Sequence, residues 1–350
     1  MDELHLNVSL LRTRVPNLTV AARSAGLRPA TVSNLCTGKI PIGRAEVRTL
    51  ALLASLAGCT MDELIVRGSL AGMIETGIKA LDLLAPVIKG GRTGLVARPG
   101  TGQMVLLAEL LHRLKKQGYT SIFWKPAEDA AGTGEVLQEA DYVCRSAEEV
   151  LQKLHEIPGK EEIVLAADRS VVLSGEFDEL MEGQDASNSR SITTILVDIT
   201  GDAVDDETPY GPLDTFLRFD AELTTRGLFP AIDPVASTCV ILEGAQLEPP
   251  HVWVQQQTRK LMRRYRELRP LVLFRGIDKL PESEKIMYRR GERLEAYLSQ
   301  PFYIAEPYTG KKAEWIPLPE TLEDVGKIVN GGADHIPVDE LTFAGRIKDI

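Results

Sequence analysis

A glycine-rich loop between an apolar strand and an apolar helix is the stretch whose residue types could carry chemistry. Residues 90–107 read Gly-Gly-Arg-Thr-Gly-Leu-Val-Ala-Arg-Pro-Gly-Thr-Gly-Gln-Met-Val-Leu-Leu. The pattern predicts a strand over 94–96, a turn over 98–102 and a helix over 103–116, whose apolar residues recur at helical spacing. Backbone N–H groups in such a loop, together with the helix N-terminus, can cradle an anion. The stretch therefore indicates a phosphate-binding loop.

The loop differs from the nucleotide-binding motif G-x-x-x-x-G-K-[ST] at the positions that contact phosphate and metal. The motif aligns with residues 97–104, beginning at Ala97. Gln103 stands where a lysine would reach the terminal phosphates, and Met104 stands where a hydroxyl would hold Mg²⁺. A lysine about 4 Å from a phosphate charge contributes roughly 4 kcal/mol at an effective dielectric constant of ~20. Losing part of that contribution in the transition state slows phosphoryl transfer by roughly 10²–10³.

The loop is therefore expected to hold ATP or ADP weakly and to cleave it poorly. The missing hydroxyl argues against a bound Mg²⁺, and no metal ligands are predicted. The alternative is a loop that only joins a strand to a helix. The nucleotide-binding residues predicted in the loop are Gly100, Thr101, Gly102, Gln103 and Met104.

Length and composition limit the class of protein. The 350 residues suffice for two or three domains, and 44% hydrophobic and 26% charged residues are typical of a soluble globular protein. The four cysteines lack a C-x-x-C pair, which argues against zinc or a disulfide framework and fits a reducing compartment. No signal-peptide pattern opens the chain, and the longest apolar run, 50–57, is too short to cross a bilayer. These features predict a cytoplasmic protein without a membrane segment.

Charge is unevenly distributed along the chain. The net charge of −10 argues against bulk nucleic-acid binding. Residues 1–70 nevertheless contain eight basic and five acidic side chains, so they carry +3 and the remaining residues carry −13. The N-terminal domain, called the head below, is thus basic, whereas the rest of the chain is acidic. The head is therefore the candidate for contacts with nucleic acid.

Residues 1–68 are predicted to form a separate helical domain. The pattern predicts four helices, over 18–25, 29–36, 44–56 and 61–65. Ala22, Gly26, Val32 and Leu35 have the spacing of a helix-turn-helix, in which a small residue allows close crossing, glycine allows the turn and apolar residues face the core.

The run Leu18-Thr-Val-Ala-Ala-Arg-Ser-Ala-Gly-Leu-Arg-Pro-Ala-Thr-Val-Ser-Asn-Leu-Cys-Thr-Gly-Lys39 resembles the phage-repressor (Cro/cI) helix-turn-helix family, over about residues 8–66. The resemblance implies that the second helix of the motif lies in the major groove of DNA. The candidates for base contacts are Arg28, Thr31, Ser33 and Asn34. The candidates for phosphate contacts are Lys39 and Arg44.

A single copy of this head has few basic residues for tight binding, so a homo-oligomer on repeated half-sites is expected. A small helical bundle that contacts protein is the alternative.

Apolar strand-like runs alternate with helical stretches over residues 72–250. This alternation predicts an α/β domain with a mostly parallel sheet. The predicted strands are 93–97, 121–125, 162–167, 193–199 and 239–242.

The run Ile74-Glu-Thr-Gly-Ile-Lys-Ala-Leu-Asp-Leu-Leu-Ala-Pro-Val-Ile-Lys-Gly-Gly91, with the glycine loop after it, resembles the catalytic (beta) subunit of the rotary ATP synthase. The similarity returns at 205–208, 227–234 and 298–310 and spans most of residues 70–350. It implies a RecA-like P-loop NTPase core and a C-terminal helical domain at 251–350. The head stands where that family has an N-terminal β-barrel.

The resemblance also implies roles for individual residues. It places the family's catalytic glutamate on Glu128 and the aspartate that ends its second nucleotide-site strand on Asp168. It places the aromatic residues that enclose the adenine on Phe229, Phe302 and Tyr308. Each such contact contributes roughly 0.5–1.5 kcal/mol beyond area burial. Simple packing of these rings is the alternative.

The C-terminal residues are predicted to be helical. The predicted helices are 253–268, 282–299, 322–330 and 338–350. The basic run 259–266 within the first of them is more typical of a solvated helix face than of a nucleic-acid patch.

The leading hypothesis is a DNA-binding transcription regulator with a catalytically degenerate body that binds an adenine nucleotide or mediates oligomerisation. One alternative is a divergent ATP synthase beta-type subunit with ATPase activity. Another is an assembly module whose head binds protein.

Overall fold

The computed structural model describes residues 4–15, 17–36, 40, 42–67, 72–125, 131–159, 161–187, 191–206, 209–242 and 249–349. The chain forms two compact units. The first comprises Met1–Gly72 with Cys239–Val252, and the second comprises Met73–Thr238 with Trp253–Ile350. Most of the C-terminal helices therefore belong to the same unit as the α/β sheet.

Short helices and one small sheet build the first unit up to residue 67. The elements are β1 Leu4–Leu6, α1 Val8–Arg14, α2 Leu18–Ser24, α3 Pro29–Cys36, a 3-10 helix at Ile42–Arg44, α4 Val47–Ala57, α5 Met61–Leu64 and β2 Ile65–Arg67. The expectation of an all-helical head is wrong in one respect, because β1 pairs antiparallel with β2, with Leu6 opposite Ile65. Strands of three residues are too short to produce an alternating pattern.

The two helices predicted for a helix-turn-helix motif are present as α2 and α3. Ala22, Val32 and Leu35 are buried, as their spacing predicted. Gly26 has a φ of 77°, a conformation that glycine adopts without steric cost, and the next N–H, of Leu27, donates to the Ala22 carbonyl at 2.8 Å. The sharp turn that follows lets α3 begin at Pro29.

A seven-stranded, mostly parallel sheet is the centre of the second unit. Its strands lie in the order β11–β10–β5–β9–β8–β6–β7. They are β5 Arg92–Val96, β6 Tyr119–Trp124, β7 Tyr142–Cys144, β8 Glu162–Asp168, β9 Ile192–Val197, β10 Thr215–Arg218 and β11 Thr238–Cys239. A separate antiparallel pair is formed by β3 Met73–Ile74 and β4 Val87–Ile88.

The strand β5, which leads into the glycine loop, lies inside the sheet between β9 and β10 and is parallel to both. The strand β9 separates β5 from β8, and β8 is parallel to β9. The carboxyl ends of β5 and β8 therefore open at the same edge of the sheet, where open α/β sheets bind ligands.

Helices flank the strands and continue to the C-terminus. They are α6 Lys79–Leu84, α7 Gln103–Lys116, α8 Thr133–Glu139, α9 Ala147–Glu156, α10 Arg169–Leu173, α11 Glu176–Ser187, α12 Ala221–Thr225, α13 Pro249–Arg275, α14 Glu282–Leu298, α15 Glu306–Thr309, α16 Leu318–Asn330 and α17 Val338–Leu341. Further 3-10 helices lie at Asp202–Asp205, Val240–Leu242, Ile277–Lys279, Tyr303–Ala305 and Ile347–Asp349. A continuous apolar core under the sheet includes Trp124, Leu165, Leu196, Leu154 and Phe177.

Several local predictions need correction. The strands β7 and β10 were not expected, and the predicted strand 239–242 is a two-residue strand followed by a 3-10 helix. The predicted helix 338–350 is helical only over Val338–Leu341 and again, as a 3-10 turn, over Ile347–Asp349. Among the residues described, none of the helices combines the length and apolar character needed to cross a membrane.

Candidate functional site

The glycine loop contains two residues with a positive φ and leads directly into α7. Gly100 and Gly102 have φ values of 82° and 99°, and Gly102 is the N-cap of the 14-residue helix α7. Glycine is favoured at both positions because side chains rarely tolerate a positive φ. The Thr101 hydroxyl donates to the Arg98 carbonyl at 2.7 Å and so fixes the turn.

The two altered motif positions are used for packing. Gln103 and Met104 are both buried. The Thr101 hydroxyl lies 3.4 Å from the Gln103 Oε1 atom, and a Cβ added to Gly132 would lie 2.7 Å from the Cβ of Met104. Neither side chain supplies a cation to a phosphate. The cation within the loop is Arg98, which is largely exposed and pairs with Asp205 at 3.2 Å.

The predicted catalytic residue Asp168 lies at the carboxyl end of β8, where it holds the chain in place. Its Oδ1 atom accepts from the N–H of Ser170 at 2.9 Å and caps α10, and its Oδ2 atom accepts from the N–H of Ile199 at 3.1 Å. The structure thus brings Asp168 to the same sheet edge as the glycine loop, with both carboxylate oxygens bonded to backbone. The other predicted catalytic residue, Glu128, lies outside the described residues.

The neighbouring strand ends on a second carboxylate that sequence reasoning did not select. Asp198 follows β9 and is 2% exposed. Burial raises the pKa of this carboxyl, but hydrogen bonds from Ala203 and Thr200 outweigh it and lower the pKa below its usual range. Asp198 therefore stays ionised at the sheet edge.

A cavity of about 400 Å³ lies beside the glycine loop. Thr101 and Gly102 line one side, and Phe229 and Phe302 line it as well. A Cβ added to Gly102 would lie 4.0 Å from the ring of Phe229. The volume is within the range of small-molecule sites, and the lining is mostly apolar. Two of the three aromatic residues predicted to enclose the adenine therefore line the same cavity as the loop predicted to bind phosphate.

The third predicted ring, Tyr308, is 80% exposed on α15 and is not among the residues that line the cavity. The structure instead brings Phe343 and Lys311 to the cavity. Phe343 has a φ of 60°, which is uncommon for a residue other than glycine. No sequence motif marks either residue, since both reach the cavity through the tertiary fold.

Gln300 joins three segments around the cavity. Its Nε2 atom donates to the carbonyls of Gly77 and Glu314 at 2.8 and 2.9 Å, and its Oε1 atom accepts from the N–H of Lys79 at 3.0 Å. Its own N–H donates to the carbonyl of Phe229 at 2.7 Å. The side-chain amide of Gln300 therefore holds residue 300 in place, and its backbone N–H positions the carbonyl of Phe229.

A buried ion pair connects α7, the helix after the glycine loop, to three other segments of the chain. The Arg113 Nε atom donates to Glu109 at 2.6 Å, and both side chains are fully buried. The other Glu109 oxygen accepts from the N–H of Ile304 at 3.1 Å. Further hydrogen bonds from the Arg113 guanidinium go to the carbonyls of Thr76, Gly77 and Glu314.

Lys79 is a buried lysine that contacts Ala344, the residue that follows Phe343. Its Nζ atom donates to the Ala344 carbonyl at 2.7 Å and lies 4.0 Å from the centroid of the Tyr297 ring. Burial lowers the pKa of Lys79 to about 7, and the charges of Asp324 and Glu314 oppose this shift.

The lowered pKa of Lys79 makes stability depend on pH. Between pH 7 and the ordinary lysine pKa near 10.5, the unfolded chain binds more protons at this site than the folded chain. Stability is therefore expected to rise through this interval. Thermal midpoints at pH 7 and 9 should show the increase in the natural protein, and Lys79→Met should remove it. An equal increase in both proteins would contradict the assignment.

The predicted DNA-contacting residues lie on and beside α3. Arg28 and Ser33 are exposed, and Thr31 and Asn34 are half-buried. Arg44 is exposed at the end of the 3-10 helix Ile42–Arg44. Lys39 lies outside the described residues.

A scan of the chain against models of known protein families finds no match. Within the described ranges, no group of three or more His, Cys, Asp or Glu side chains is arranged to hold a metal ion.

Proposed function

We propose that this chain is a DNA-binding regulator whose α/β unit binds an adenine nucleotide and turns it over slowly. The observation that carries the nucleotide part is the shared cavity, in which Thr101 and Gly102 of the glycine loop lie with Phe229 and Phe302. A purine stacks on aromatic faces, and the loop and the N-terminus of α7 offer backbone N–H groups to phosphates.

The topology is compatible with this proposal. The glycine loop follows an interior parallel strand, and the cavity lies beside it, as expected for a RecA-like core. The resemblance of residues 70–350 to the ATP synthase beta subunit points to the same ligand. Under this proposal, nucleotide binding changes the spacing of the heads within a homo-oligomer and thereby affects DNA binding.

Slow turnover follows from the altered positions. Gln103 and Met104 are buried in protein contacts, and both oxygens of Asp168 accept backbone hydrogen bonds. The site therefore lacks the lysine charge that phosphoryl transfer uses, which costs roughly 10²–10³ in rate.

Calorimetric titration of the full chain with ATP and with ADP tests the nucleotide proposal. Both are expected to bind at millimolar concentration or below, with hydrolysis close to background. Absence of binding at millimolar nucleotide would overturn the proposal. Rapid turnover that vanishes in Glu128→Gln would assign an ATPase instead.

Self-association, which the proposal requires, is favoured by apolar side chains at the C-terminal end of α13. Leu271, Leu273 and Phe274 are all exposed, and Phe274 is 85% exposed. Clustered exposed apolar residues of this kind commonly mark protein interaction sites.

The proposal for the head rests on α3, in which Ser33 is exposed while Val32 and Leu35 are buried, and on Arg28, which is exposed directly before α3. Such a helix can enter a major groove while its apolar side stays in the core.

Arg28→Ala is expected to weaken binding to a selected DNA site by about 1–3 kcal/mol and to relax the base preference at one position. Site selection from random DNA, followed by titration of the best sequence, measures both effects. Arg14→Ala is the control, because it removes the same charge from an arginine that donates to the Gly58 carbonyl. Equal binding and preference in natural protein and Arg28→Ala would favour the protein-binding alternative.

A further inference from the structure

The polar side chains that line the cavity are, with one exception, already bonded to the protein. The Gln300 amide is bonded through both its nitrogen and its oxygen. The hydroxyls of Thr101 and Thr309 donate to backbone carbonyls. Lys311 is the only charged side chain among the described residues that line the cavity.

Lys311 is held only weakly in its present position. Its Nζ atom lies 3.5 Å from the centroid of the Phe343 ring, and the side chain is exposed. A cation over an aromatic ring at an exposed site is a weak contact compared with a charge-assisted hydrogen bond to a phosphate. The ammonium group can therefore leave the ring when an anion enters the cavity.

Hydrogen bonds hold the backbone at Lys311 and at Phe343. The Lys311 N–H donates to the Thr309 hydroxyl at 3.3 Å, and the N–H of Ala313 donates to the Glu306 carboxylate at 2.7 Å. The N–H of Phe343 donates to the Ser299 hydroxyl at 2.8 Å. These hydrogen bonds hold the backbone, whereas the Lys311 Nζ atom makes the ring contact described above.

We propose that Lys311 binds the phosphate closest to the nucleoside and so gives the cavity a cation, although at a different phosphate from the one that a lysine at position 103 would reach. This inference rests on the proposed nucleotide site and assigns its ligand class. The site takes nucleoside phosphates in preference to nucleosides, and the first phosphate provides most of that preference.

Calorimetric titration of the full chain with adenosine, AMP and ADP tests the assignment. Lys311→Gln is expected to weaken AMP binding by about tenfold, the effect of one charge-assisted contact at a partly exposed site, and to change adenosine binding by less than about twofold. Lys312→Gln, the exposed neighbour that does not line the cavity, should leave all three affinities unchanged. Lys311→Arg should retain most of the AMP affinity.

Unchanged AMP affinity in Lys311→Gln would overturn this inference and leave the nucleotide site standing. Equal weakening of adenosine and AMP would also overturn it, since the ammonium group would then contact the base or ribose. Failure of the natural protein to bind any of the three ligands would overturn both the site and the inference.

Discussion

Replacing Arg113 with methionine is expected to lower the free energy of unfolding of the second unit by about 3–5 kcal/mol. Arg113 and Glu109 form a fully buried ion pair at 2.6 Å on α7. Removing the guanidinium leaves the Glu109 carboxylate buried with the N–H of Ile304 as its remaining partner in the network. An uncompensated buried charge is among the costliest defects that a single substitution creates.

The Arg113→Met substitution affects the three carbonyl groups that accept hydrogen bonds from Arg113 unequally. Those of Gly77 and Glu314 keep a hydrogen bond from Gln300, whereas the Thr76 carbonyl has Arg113 as its donor in this network. The main cost of Arg113→Met is therefore the Glu109 carboxylate, which stays buried without its cation. The double variant Glu109→Leu with Arg113→Met removes both charges and should recover a large part of the lost stability.

Chemical denaturation monitored by circular dichroism measures these differences. Lys153→Met is the control, because Lys153 forms a surface ion pair with Glu156, also on one helix, and this substitution should leave the midpoint unchanged. If Arg113→Met is as stable as the natural protein, or the double variant is no more stable than the single one, the buried pair does not have the proposed role.

Phe229→Ala is expected to weaken nucleotide binding by about 1–3 kcal/mol, or roughly 5- to 150-fold, which is the usual effect of removing an aromatic residue that stacks on a base. The side chain is 38% exposed and lies beside Gly102 of the glycine loop, so its removal is expected to cost less stability than that of the more buried Phe302. Phe229→Leu should restore part of the affinity through apolar contact.

Tyr308→Ala distinguishes the base position that the resemblance implies from the one that the cavity implies. The resemblance places Tyr308 beside the adenine, whereas in the structure it is exposed and outside the cavity lining. We expect its loss to change ATP affinity by less than about twofold, a difference below roughly 0.5 kcal/mol. A large effect of Tyr308→Ala together with a small effect of Phe229→Ala would contradict the base position proposed here.

The sequence was informative where a local pattern decides the structure. The strand β5, the glycines with positive φ and the periodic helix α7 follow from residue types within one short stretch. The helices α2 and α3 and the burial of Ala22, Val32 and Leu35 were predictable for the same reason, because each of these residues has a local steric role.

The remaining features depend on contacts between distant parts of the chain. The strand β10 has only four residues and is stabilised by pairing with β5, more than a hundred residues away. Phe343 reaches the cavity with a backbone conformation that no local pattern would predict, and the role of Gln300 depends on carbonyls of Gly77 and Glu314. Burial of Gln103 likewise could not be inferred from its replacement of lysine.

We expect this chain to bind a purine nucleotide beside a phosphate-binding loop in which Gln103 replaces the catalytic lysine. An experimental structure of the full chain with ATP and Mg²⁺ should show an uncleaved nucleotide whose base lies between Phe229 and Phe302 and whose phosphates reach Gly102. A cavity without density at saturating ATP, or a base bound elsewhere, would rule out this binding site.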